Sequence, residues 1–171
     1  VKVKGDIEIS ATVDVPSNKN IMLVAAEDAT IKRAAGFIGS MFTVNGGNLQ
    51  MAGSVEDAAT GAVDSTLIVD GTGEGVTGSI VEVISGNYAL SDGATLTGNT
   101  TTGDGSAINN SANAYLLGGT ITANSTTGNG GAINNAAGAN VYLQNGTITA
   151  NSAAAGGAIY SEGTVNIQGT L

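Results

Sequence analysis

The stretch Gly118-Gly119-Thr120-Ile121-Thr122-Ala123-Asn124-Ser125, with Gly130-Gly131-Ala132-Ile133 just after it, decides the fold because the chain repeats it. Ile121-Thr122-Ala123-Asn124 is preceded by Leu96-Thr97-Gly98-Asn99 and followed by Ile148-Thr149-Ala150-Asn151, at steps of 25 and 27 residues. Gly105-Ser106-Ala107-Ile108, Gly130-Gly131-Ala132-Ile133 and Gly156-Gly157-Ala158-Ile159 keep the same period, at steps of 25 and 26. Repeats of this length build solenoids, propellers or arrays, because each unit buries its apolar face only against its neighbours.

Inside a repeat the apolar residues alternate with a period of two. Val141 and Leu143 fall on one side of Asn140-Val141-Tyr142-Leu143-Gln144, with Asn140, Tyr142 and Gln144 on the other. Thr164-Val165-Asn166-Ile167-Gln168 copies that strand, Thr120-Ile121-Thr122 and Thr147-Ile148-Thr149 give a second, and the Ala-Ile block after each Gly-Gly gives a third. Three strands of three to five residues, separated by Gly, Asn, Ser and Asp, make one turn of about 25 residues. Stacked turns of this kind form an all-β, parallel β-helix with rungs ~4.8 Å apart, in which like residues stack on like. Asn99, Asn124 and Asn151 are therefore expected to form an inward amide ladder. A helical solenoid is excluded, since 27 glycines would each weaken a helix by ~1 kcal/mol relative to alanine and no apolar set recurs at 3.6 spacing.

The first half is a degenerate version of the same pattern. Strand candidates are Asp6–Val13, Ile21–Ala25, Ala29–Arg33, Met41–Val44, Leu49–Met51, Ser65–Val69 and Ser79–Ile84, and the one proline, Pro16, sits where it disturbs no later ladder. About seven rungs account for the chain. With no linker or composition break, residues 1–171 form one domain, with degenerate rungs over 1–92 and regular repeats over 93–171.

The formal charge is −9, and all five basic residues (Lys2, Lys4, Lys19, Lys32, Arg33) lie in the first 33 positions. Beyond them stand only acids: Glu56, Asp57, Asp64, Asp70, Glu74, Glu82, Asp92, Asp104 and Glu162. Phosphate recognition needs Lys and Arg, so nucleic acid is not an expected partner. Cysteine and histidine are absent, which removes disulfides and thiolate or imidazole metal sites. No metal site or cofactor is expected, since neither an EF-hand loop nor a Gly-Gly-x-Gly-x-Asp nonapeptide is present. No apolar run of 18 residues suggests direct membrane insertion. A Gly-, Thr- and Asn-rich, Lys-poor chain that begins at Val1 and stops at Leu171 inside a rung reads as a segment of a longer exported protein.

On the Gly118–Ser125 and Gly130–Ile133 blocks, and on the opening Gly5-Asp6-Ile7-Glu8-Ile9-Ser10, the chain resembles the pectate-lyase-like parallel β-helices of bacterial cell-surface and adhesin-like proteins. Autotransporter passengers and polymorphic outer-membrane proteins belong to that group. It differs from the latter in having Ile/Leu-x-x-Asn in place of Phe-x-x-Asn. The resemblance implies right-handed coiling, a secreted or bacterial cell-surface location, and a structural stalk or adhesive role.

Four activities are weighed against that expectation. Lyases of this fold need a Lys or Arg base, and none lies beyond Arg33. Hydrolysis needs two carboxylates about 5–9.5 Å apart, whereas Asp70, Glu74, Asp92 and Asp104 all sit beside glycine in turn contexts, so no catalytic residue is assigned. Thr95/Thr97, Thr120/Thr122 and Thr147/Thr149 should stack into two outward columns, the kind of surface that ice-binding solenoids present. Tyr115 and Tyr142, 27 residues apart, should stack outward as a contact patch for a host glycan or surface protein. Tyr88, Tyr160, Phe37 and Phe42 are the remaining aromatics. Open solenoid ends are further expected to allow end-to-end self-association.

Overall fold

The computed structural model describes residues 1–53 and 65–169. Glu56, Asp57, Asp64 and Leu171 lie outside the described residues. The chain winds as a right-handed parallel β-helix of about six turns, and among the described residues there is no α-helix.

β1 (Lys2–Val3) and β2 (Ile7–Ile9) start the coil, and β3 (Val13–Pro16), β4 (Asn20–Ala25) and β5 (Ala29–Arg33) make a three-sided turn. β6 (Phe42–Ala52) and β7 (Leu67–Asp70) make the next, and β8 (Val81–Leu90) and β9 (Ala94–Thr97) the third. A corner strand, β10 (Thr100–Thr101), precedes β11 (Ile108–Asn110), β12 (Asn113–Leu116) and β13 (Thr120–Thr122). The pattern returns in β14 (Ser125–Thr126), β15 (Ile133–Asn135), β16 (Asn140–Leu143) and β17 (Thr147–Thr149), and ends in β18 (Ile159–Ser161) and β19 (Thr164–Ile167).

These strands build three faces. Face 1 stacks β3, the first halves of β6 and β8, then β11, β15 and β18. Face 2 stacks β1, β4, the second halves of β6 and β8, then β12, β16 and β19. Face 3 is the six-stranded sheet of β2, β5, β7, β9, β13 and β17. Faces 1 and 2 form one eleven-stranded sheet because β6 and β8 turn their corner without breaking. Gly46 and Gly86 make that possible with φ of 90° and 88°. A Cβ on Gly86 would lie 2.2 Å from the Gly47 carbonyl oxygen, so the rungs close up there only without a side chain.

The rung count is six where the repeat length suggests seven. Phe42 pairs with Val81 on the next rung, 39 positions on, while Ile108 to Ile133 takes 25. The degenerate half thus spends more chain per turn. The candidates Met41–Val44 and Leu49–Met51 are one strand, Ser79–Ile84 extends through Leu90, and Asp6–Val13 is broken between Ile9 and Val13.

Columns of like residues fill the interior. Val13, Phe42, Val81, Ile108, Ile133 and Ile159 form one, and Leu23, Met51, Leu90, Leu116, Leu143 and Ile167 another. Where the column from Leu49 reaches Tyr88, the next rung carries Ala114, so a large side chain lies over a small one. The Tyr88 hydroxyl is within 3.4 Å of Met51 Sδ, and burial pushes its pKa well above the ordinary phenol value. At both ends the columns stop. Ile7, Val13 and Ile167 are in register with interior residues yet are 40%, 37% and 64% exposed.

Candidate functional site

The inward amide ladder is present and runs through named atoms. Asn151 Oδ1 accepts from the Asn124 backbone N–H at 3.0 Å, and Asn124 Oδ1 accepts from the Asn99 N–H at 3.1 Å. Asn124 Nδ2 also donates to the carbonyls of Leu96 (3.1 Å) and Thr122 (2.9 Å), so the side chain knits two rungs. Asn99 and Asn124 are fully buried, while Asn151, nearer the open end, is partly exposed. To aim these side chains inward, the preceding residue takes left-handed geometry: Gly98 at φ 76°, Ala123 at 55° and Ala150 at 54°.

Below Asn99 no asparagine continues the ladder, and Arg33 takes its place. Its side chain is only 6% exposed. Nη2 donates to Asn99 Oδ1 at 3.2 Å, Nε to the Gly71 carbonyl at 2.9 Å, and Nη1 to the carbonyls of Phe37 (3.2 Å) and Gly39. The guanidinium carbon lies 5.2 Å from the Phe37 ring centroid. Burial depresses the guanidinium pKa from its ordinary value, and these four partners are carbonyl and amide oxygens, none of them a carboxylate. Gly73 is needed here, since a Cβ on it would come within 2.8 Å of Arg33 Cδ.

Two further ladders were not anticipated. Inside the corner between faces 1 and 2, Asn110 Nδ2 donates to Asn135 Oδ1 at 2.8 Å, and Asn135 Nδ2 to Ser161 Oγ at 3.0 Å. Asn20, Asn48, Asn87, Asn113 and Asn140 form an outward column at the start of face 2. In it Asn87 Nδ2 donates to Asn48 Oδ1 at 2.6 Å, and Asn140 Nδ2 to Asn113 Oδ1 at 3.1 Å. The signal was available: applying the period of two from Ile108 or Ile133 places Asn110 and Asn135 inside.

Two residues further along face 2 runs the outward column Met22, Gln50, Ala89, Tyr115, Tyr142 and Asn166. Tyr115 and Tyr142 stack with ring centroids 4.7 Å apart and planes within 6°, as the spacing predicts. Both are partly exposed. The other aromatics are disposed differently. Tyr88 and Phe42 point into the core, Phe37 lies against Arg33, and Tyr160 donates its hydroxyl to Glu162 Oε1 at 3.3 Å. Beside the column lies a shallow hollow of about 250 Å³, lined by Asn20, Met22, Asn48, Gln50, Asn87 and Ala89 together with the strand backbone of Ile21 and Leu49.

On face 3, Thr95, Thr120 and Thr147 align in one outward column, and Thr97, Thr122 and Thr149 in the other. Both are interrupted on the rung below, where Ile68 pairs with Thr95 and Asp70 with Thr97. Asp70 closes a turn, its Oδ1 accepting from the Thr72 N–H (2.9 Å) and hydroxyl (2.6 Å), whereas Asp104 Oδ1 links two rungs by accepting from the Asn129 N–H at 2.7 Å. Glu82 and Asp104 border one polar hollow of about 260 Å³, where Ser40 Oγ donates to Glu82 Oε2 at 3.1 Å. Among the described residues no group of three or more Asp or Glu side chains converges on a point suited to a metal. No match to the chain was found among family models, curated proteins or solved structures.

Proposed function

We propose that this chain is a non-enzymatic, rod-like structural and adhesive segment of an extracellular bacterial surface protein, of the pectate-lyase-like, adhesin-like kind that its Gly-Gly-Ala-Ile repeats resemble. The observation that carries this reading is the continuity of the columns. Six turns of parallel ladder, with columns such as Ile108–Ile133–Ile159 and Leu90–Leu116–Leu143 stacking like on like, give a stiff element ~4.8 Å long per turn whose length follows the number of repeats. Its outer faces expose amides, threonines and a tyrosine stack, uncharged groups suited to contact with neutral partners. A catalytic reading has less support, because Asp70 and Asp104 hold backbone N–H groups, in a turn and between rungs respectively. An ice-ordering face has less support too, because its hydroxyl lattice is three rungs tall and ends at Ile68 and Asp70.

A single assay on a panel of immobilised polysaccharides tests the reading, scoring retention of the protein and release of reducing or unsaturated ends together. Retention without release supports an adhesive segment. Release of ends would overturn the non-enzymatic assignment, and neither retention nor release would remove the adhesive half of it. Inhibition of ice recrystallisation, run in parallel, would favour the threonine face instead.

A further inference from the structure

The aromatic column on face 2 is interrupted at one rung. Tyr142 covers one side of the Tyr115 ring, at 4.7 Å. The other side is turned toward the rung of Ala89, where the side chain is a single methyl. The next side chain down the column is Gln50, whose Nε2 is held by Ser91 Oγ at 2.9 Å. The backbones of Tyr115 and Gln50 thus stand two rungs apart, roughly 9.6 Å, while the Gln50 amide reaches up to Ser91 on the Ala89 rung, so a third ring continuing the stack would sit over Ala89 beside that amide.

The amide column beside it breaks at the same rung. Asn140 and Asn87 each donate to the asparagine below, but Asn113 Nδ2 points to the Gly86 carbonyl at a long 3.5 Å instead of reaching Asn87 Oδ1. Space over Ala89 therefore coincides with one amide oxygen, Asn87 Oδ1, that receives no bond from the asparagine above it. We propose that this rung is a binding slot for one neutral pyranose ring of a glycan, stacked on Tyr115 above Ala89, with the Asn87 and Asn113 amides at its hydroxyl edge. This deepens the adhesive reading above and rests on it.

Three features select that ligand. The residues lining the adjoining hollow are all uncharged, which disfavours an acidic or basic partner. That hollow, of about 250 Å³, runs from Asn87 and Ala89 down past Asn48 and Gln50 to Asn20 and Met22, so one ring occupies the slot over Ala89 and the rest of the glycan runs along the hollow. An aromatic side chain from a protein partner would fill the same space but would cover Asn87 Oδ1 without giving it a donor, which is unfavourable once water is excluded. A sugar offers apolar C–H groups to the Tyr115 face and hydroxyls to the amides.

The test uses three variants. Ala89→Tyr adds the missing ring and fills the slot from outside the core, Tyr115→Ala removes the platform, and Thr122→Ala on face 3 serves as control. Binding of cello-, manno- and chito-oligosaccharides is measured by calorimetry and saturation-transfer NMR, with N-acetyltryptophanamide as an aromatic probe and thermal melts as the check on folding. The expected result is oligosaccharide binding weakened at least about tenfold by Ala89→Tyr and Tyr115→Ala and unchanged by Thr122→Ala. Oligosaccharide binding that survives Ala89→Tyr would overturn the slot while leaving the adhesive reading in place. Binding of the tryptophan amide in preference to sugars would overturn the glycan assignment. If neither binds, the slot is refuted, and retention on the polysaccharide panel decides the adhesive reading separately.

Discussion

Asn124→Ala removes the centre of the inward amide ladder, and its cost can be worked from the bonds lost. The Asn99 N–H loses its Asn124 Oδ1 acceptor, and the Leu96 and Thr122 carbonyls lose a donor, all at a residue with no exposed surface. An orphaned buried donor costs about 1–3 kcal/mol. The carbonyls, which have a second lone pair, add a smaller amount, so the total is about 3 kcal/mol. For a chain of this size 1 kcal/mol shifts Tm by roughly 2–4 °C, which predicts a fall of about 6–12 °C. Solenoids also open locally, so hydrogen exchange at the Asn99 amide should accelerate before global unfolding. Asn109→Ala is the matched control, since Asn109 lies on the outer side of β11 and accepts from Asn134 Nδ2 at 2.9 Å. It should stay within about 0.5 kcal/mol of the parent. Equal losses from the two substitutions in urea titrations would refute the inside/outside assignment on which the fold description rests.

Other consequences are open to measurement. Arg33→Met should destabilise by about 1–3 kcal/mol, because the buried Asn99 amide oxygen and the carbonyls that Arg33 serves lose their donors; no loss in denaturant unfolding would contradict the four-acceptor arrangement. Ala123→Gly and Ala150→Gly should each raise stability by up to about 1 kcal/mol, since both alanines hold left-handed φ, and a lower Tm for both would rule that strain out. Stability should be flat across neutral pH. Asp6, with its carboxyl lowered by the Lys32 ammonium, and Asp28, lowered by the Thr66 N–H and hydroxyl, contribute above the ordinary carboxylate range and lose that contribution as pH falls through their depressed values. Lys32, raised by Asp6, contributes fully below its ordinary value and loses the contribution as pH rises through the raised one. With no histidine, a stability transition between about pH 6 and 8 would be unexpected. Exposed Ile7, Val13 and Ile167 at the two ends should drive concentration-dependent association in light scattering, and a strict monomer at high concentration would contradict it.

The regular half was legible because stacking turns sequence repetition directly into columns. Once Asn99, Asn124 and Asn151 recur with the strands, their ladder follows, as do the Tyr115–Tyr142 stack and the threonine columns. The degenerate half was legible only strand by strand. A repeat length carried over from residues 93–171 overestimates the number of turns when one turn spends 39 residues. Arg33 escaped notice because a lone charged residue at a strand end reads as solvated, and its key partner, Asn99, is 66 positions away. The outer slot was hidden for a related reason. It is made by a missing side chain at Ala89, and an absence has meaning only when its neighbours on other rungs are known.

A chain of near-identical turns faces an indexing problem. Turns carrying Asn99, Asn124 and Asn151 present nearly the same strands to one another, so a turn that skips its neighbour and docks on the next still finds matching columns. The hydrophobic pattern along each strand fixes the residue-by-residue register but does not number the turns. The guanidinium of Arg33 instead marks where the ladder stops. Its fork takes the Gly71 and Gly39 carbonyls, with room left by the bare Gly73, and that set occurs once in the described coil. Its Nη2 gives Asn99 Oδ1 the donor that the Asn99 and Asn124 N–H groups give the amide oxygens above them. Because a guanidinium accepts no hydrogen bond, Arg33 closes the lower end of the amide ladder.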